Sequence, residues 1–171
     1  SGANWSGAQD NHLQTFSLSD LQKLAPIADC KLGQRDLTNG GTEMLYATIF
    51  VENRAFFVTY YRRDPFHAFS IDDSGHCAEH NEFIVSGWND FLRPTLGNTR
   101  LIGIGRNDEN ITNKLSVSLY DAVNLDNRTP LLARADIDLS GSFSEANWDD
   151  RGFSVIEDAV QVKAADGTTE T

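Results

Sequence analysis

An all-β fold of repeated four-stranded antiparallel sheets is predicted, and three features of the sequence predict it. Short runs rich in Val, Ile, Phe, Tyr and Leu are bounded by Gly, Asn, Asp and Ser, the residues that end strands and close turns. The runs come as hairpins. Leu45–Val51, the turn Glu52-Asn53-Arg54 and Ala55–Tyr61 make the first. Leu92–Leu96, Gly97-Asn98-Thr99 and Arg100–Gly105 repeat the design, and Ser144–Trp148, Asp149-Asp150 and Arg151–Glu157 form a weaker third copy. Aligned on Arg54, Arg100 and Arg151, the copies recur at intervals of roughly 50 residues, the spacing that β-propeller blades produce.

Each hairpin is followed by a second pair of runs. The third strands carry apolar alternation ending in Asp: Thr15–Asp20, Ala68–Asp73 and Val117–Asp121. The fourth strands are Leu24–Leu32, Ala78–Val85 and Leu131–Leu139. Gly33, Gly87 and Gly141 follow them, where a residue without a Cβ lets the chain turn sharply into the next sheet. Leu18–Leu24 has the makings of one helical turn, but the alternation on both sides favours a strand-to-strand loop. In this register residues 1–10 are a flexible leader, 11–33 a partial blade, 34–86 and 87–140 two whole blades, 141–163 another partial blade and 164–171 a flexible tail. An open arc of blades would expose apolar faces at both ends. It is therefore expected to be part of a longer protein, or to close by association as a homodimer in which the N-terminal strands complete the C-terminal partial blade.

Asp and Glu outnumber Lys and Arg by 25 to 14, for a net charge of −11. Such a surface repels phosphate backbones and anionic lipid, so nucleic acid and membrane are excluded as partners; solubility alone accounts for the excess most simply. No apolar run reaches the roughly 20 residues of a membrane-spanning helix, and no signal-peptide pattern opens the chain.

The candidate site residues are few. His76 and His80 stand four apart beside Cys77 and Glu79, ligand types suited to zinc, although the segment reads as a turn entering a strand. The loop Arg106–Asn113 is rich in calcium-type oxygen donors but lacks the EF-hand spacing, so a solvated loop competes with calcium binding. Cys30 and Cys77 fall at fourth strands, compatible with a rim disulfide between neighbouring blades or with two free thiols. Asp72-Asp73 and Asp149-Asp150 are turn residues whose carboxylates bond nearby amides. The many aromatic residues, Trp148 among them, are assigned mostly to packing between blades, while Trp88 and Phe91, just after a glycine turn, could line a binding face. No nucleophile elbow, zinc-protease helix, Cys-x-x-Cys pair or phosphate loop is present.

Four stretches, LYATIFVENRAFFVTYYRRDPFHAFSID (45–72), FLRPTLGNTRLIGIGR (91–106), KLSVSLYDAVNLDNRTPLLAR (114–134) and SGSFSEANWDDRGFSVI (140–156), give the chain a family likeness. It resembles bacterial secreted proteins with a C-terminal β-propeller domain, distant relatives of WD-repeat propellers. Arg62, Asp64 and Pro65 match that family's motif between second and third strands. They suit a structural Arg–Asp pair, with ligand contact at the top of the ring as the alternative. The segment Asp73-Ser74-Gly75-His76-Cys77 departs from the family's Asn/Pro-rich turn. The resemblance implies a propeller, secreted or periplasmic, and supplies no catalytic residue. The expectation is a non-enzymatic binding or scaffolding module for a protein or glycan partner, without a cofactor. A calcium- or zinc-dependent site on the top face is the alternative, and a structural segment completed by a partner chain is the third reading.

Overall fold

The computed structural model describes residues 11–20, 22–32, 44–60, 64–85, 87–107, 114–137, 144–149, 151–157, 162–163 and 169–170. The chain opens with strands β1 (Asn11–Ser17) and β2 (Ala25–Leu32), an antiparallel pair of their own. Next come β3 (Met44–Val51), β4 (Arg54–Tyr60), β5 (Asp64–Ile71) and β6 (Cys77–Val85), a four-stranded antiparallel sheet in sequence order. The strands β7 (Trp88–Thr95), β8 (Arg100–Asn107), β9 (Lys114–Asp121) and β10 (Leu131–Ile137) build a second sheet of the same order. Leu18–Leu24 is a loop between strands in its described part, as the flanking alternation requires.

Strand periodicity divides each sheet into two faces. On β4, Phe56 and Val58 turn toward the second sheet, whereas Ala55 and Phe57 turn toward β1 and β2. The first face meets Leu92, Leu101 and Tyr120 of β7, β8 and β9 in one shared core. Phe66 lies at its centre, stacked on Phe83 of its own sheet (centroids 4.7 Å) and on Tyr120 of the next (5.2 Å). The opposite face packs Phe57 and Phe69 against Leu13 and Leu32. Neither sheet could hide both faces alone; stacking does it, as propeller blades do.

Turn chemistry fixes the repeat. Glu52 takes a positive φ of 55° in the two-residue turn that joins β3 to β4. Arg54, the first residue after that turn, reaches across the blades and donates to the carbonyl of Ala122 at 2.6 Å. Gly87 joins the blades with φ 76°, and a Cβ there would meet the carbonyl oxygen of Arg106 at 1.7 Å, so only glycine fits. Arg100 opens β8 as Arg54 opens β4, donating to Asp121 at 3.0 Å.

The third copy departs from the sequence expectation. Ser144–Trp148 is not a strand: Glu145–Asn147 is a 3-10 turn closed by a capping box, with Ser144 Oγ accepting from the Ala146 amide and Asn147 Oδ1 from the Ser144 amide. Those local bonds satisfy the groups a strand ladder would need. Arg151–Glu157 forms no strand either, and Arg151 is an exposed residue paired with Asp149, not an equivalent of Arg54. Instead Ala146 and Phe153 cover Ile104 and Leu115, the far face of the second blade. Trp148, expected in the core, is 79% exposed. In the tail expected to be flexible, Thr169–Glu170 (β12) pairs antiparallel with Val162–Lys163 (β11).

Candidate functional site

Among the described residues, two regions gather chemistry-bearing side chains. The first lies within one blade, on the face that looks toward β1 and β2. His67, on β5, is fully buried there among apolar neighbours, directly across from Phe57 on β4. Burial requires both ring nitrogens to find partners. Nε2 is 3.1 Å from the Thr59 hydroxyl and Nδ1 is 2.7 Å from Glu79 Oε1. Glu82 sits opposite His67 in the ladder, and the ligand atoms of His67, Glu79 and Glu82 lie within 4.8 Å of one another. Residues three apart on a regular strand face opposite ways. Here the pairing slips between Ala68 and Phe69, so that His80 is an extra, bulged residue and Glu79 and Glu82 share a face.

The bulge also aims His80 outward. Its Nε2 is 2.8 Å from Ser70 Oγ and its Nδ1 is 3.1 Å from Asp126 on the β9–β10 connection, where Asn81 also donates to the Asn127 carbonyl. His76 is exposed and faces Asp72 at 3.6 Å. The structure thus gives the two sequence-predicted histidines different carboxylates, and the convergent set among the described residues is built on His67 instead.

The second region is an open groove of about 790 Å³ between β3 and β7, the first strand of each blade. Tyr46, Phe91 and Phe153 give it aromatic walls; Asp90, Arg93 and Arg151 give it charge. Phe91 meets the Phe153 ring edge-on at 5.1 Å, and the Arg93 guanidinium lies 5.8 Å from that ring. The backbone of Trp88 pairs with Arg106 at the start of β7, and Asp64 opens β5 opposite Val85. Arg62 and most of the calcium-type loop, 108–113, lie outside the described residues.

Cys30 and Cys77 are joined by a disulfide, with Cα atoms 6.2 Å apart, that fastens β2 to the start of β6. No helix among the described residues is long and apolar enough to cross a membrane.

A family model for the β-propeller domain matches residues 2–163. The chain belongs to the β-propeller domain family. Among curated proteins, an uncharacterised protein of Methanocaldococcus jannaschii is 28% identical over 109 residues, covering 64% of this propeller chain. The match takes up 15% of that relative's length. No solved structure matches the chain.

Among the described residues, three carboxylates of the propeller titrate below their ordinary range because the fold bonds their charged forms. Asp29 accepts from the Gln14 side chain and pairs with His12. Asp72 accepts from the amides of His76 and Ser74. Glu157 accepts from the Thr95 hydroxyl and the Leu96 amide. A folded-state value below the unfolded one contributes stability above the ordinary carboxylate value of about pH 4, lost as pH falls through the lowered value. The urea midpoint is therefore expected to fall between about pH 6 and about pH 3. Asn replacements at Asp29 and Asp72 together should flatten that fall.

Proposed function

We propose that this chain is a non-enzymatic binding and scaffolding module, displayed outside the cytoplasm, that holds a protein or glycan in the groove between β3 and β7. The observation that carries the reading is the composition of that groove, where three aromatic rings alternate with both signs of charge. Rings supply flat, rigid contact area, and Asp90, Arg93 and Arg151 supply orienting hydrogen bonds. The Cys30–Cys77 disulfide supports an oxidising compartment, since such bonds persist where thiols are not kept reduced.

An array of immobilised glycans and a displayed peptide library, probed with the purified chain, test the proposal. A retained ligand is expected to bind at least about tenfold more weakly to Phe153→Ala and to Arg151→Ala, a loss of about 1.4 kcal/mol each. It is expected to leave the protein chemically unchanged by mass spectrometry. Undiminished binding by both variants, or conversion of the ligand, would contradict the proposal.

A further inference from the structure

Thr59, His67 and Glu79 form a chain of hydrogen bonds that gives each ring nitrogen a partner. It does not account for Glu82. The bulge at His80 turns this second carboxylate onto the same face, so two like charges converge on one imidazole within 4.8 Å. Two carboxylate oxygens and a ring nitrogen gathered this closely are placed to share one cation. One imidazole nitrogen and two carboxylate oxygens are the donor set for a borderline divalent ion such as zinc; calcium and magnesium favour oxygen alone.

We propose that His67, Glu79 and Glu82 form a divalent transition-metal site of the zinc class on the β5–β6 hairpin. Nδ1 is the ligand nitrogen. The opposite nitrogen, as Nε2–H, donates to the Thr59 hydroxyl, which fixes the tautomer and aims the ring. Tetrahedral ligands at roughly 2.0–2.2 Å from zinc stand about 3.3–3.6 Å apart, so the Glu79 carboxylate must withdraw from its 2.7 Å contact with Nδ1. Its side chain is 37% exposed and has the room. Three ligands among the described residues leave a fourth position for water or another donor. The proposal stands independently of the groove between β3 and β7, which lies elsewhere in the fold.

Calorimetric titration of chelator-treated protein with zinc chloride tests it, with cobalt(II) absorption as a second readout. One zinc per chain is expected, with micromolar or tighter affinity, and bound cobalt should show the intense visible bands of a tetrahedral N/O site. Glu82 is exposed and lies outside the hydrogen-bond chain, so Glu82→Gln should fold normally, as circular dichroism would verify. It is expected to weaken zinc at least about tenfold, and Glu79→Gln likewise; Thr59→Val, which removes the hydroxyl beside Nε2, should cost about tenfold. His76→Gln should leave affinity unchanged. No saturable uptake at one equivalent, full affinity in Glu82→Gln, or loss of binding in His76→Gln would each overturn the site.

Discussion

Replacing Phe66 with alanine is expected to cost about 3–5 kcal/mol of unfolding free energy, the range for deleting a buried aromatic ring. The side chain is 1% exposed and stacks on Phe83 at 4.7 Å and on Tyr120 at 5.2 Å, so its removal opens a void between two blades and not at a compliant edge. Tyr120 cannot easily swing in to fill it, because its hydroxyl accepts from Asn89 Nδ2 at 2.9 Å and its ring abuts the space that Gly103 leaves open. A domain stable by roughly 5–15 kcal/mol would lose a large share of its margin. Urea denaturation followed by tryptophan fluorescence checks this. Phe50→Ala is the control: that ring is 53% exposed, and its loss should cost about 1 kcal/mol or less.

Removing the disulfide is the other large effect. The Cys30–Cys77 bond closes a loop spanning 47 positions, for which chain entropy gives about 4 kcal/mol and measured cases run about 2–4. The loss should be local as well as global. Among the described residues the β1–β2 sheet has two strands, and a lone hairpin is marginal in water. What holds it is the packing of Leu13 and Leu32 on Phe57 and Phe69, together with the bond beside that packing. In a Cys30→Ser/Cys77→Ser variant, hydrogen exchange should accelerate first in β1 and β2, while β7 to β10 keep most of their protection. Uniform acceleration across the chain would show that the bond acts only through the unfolded state.

Much of the fold was legible because its determinants are local. Alternation marked the strands, the polar turn Glu52-Asn53-Arg54 marked a hairpin although Arg54 belongs to the strand, and Gly87 occupies a connection where a side chain would strike the carbonyl of Arg106. The third hairpin misled because alternation in Ser144–Trp148 competes with a capping box built from Ser144 and Asn147, and a strand forms only where a neighbour completes its ladder. The His67 set was hidden for a different reason. Glu79 and Glu82 have the spacing of opposite faces, and only the bulge at His80, a property of pairing and not of either strand alone, brings them together. The signal available was a histidine within the apolar run Pro65–Ile71, where a buried polar residue implies dedicated partners.

The central claim is that successive four-stranded sheets stack face to face through one shared aromatic core. The most direct measurement is a NOESY spectrum of protein with labelled phenylalanine and tyrosine rings. Cross-peaks between the ring protons of Phe66 in the first blade and Tyr120 in the second are expected, alongside those of Phe66 with Phe83. Strong Phe66–Phe83 cross-peaks with none to Tyr120 would mean that each sheet folds without the other, and would contradict the stacked arrangement.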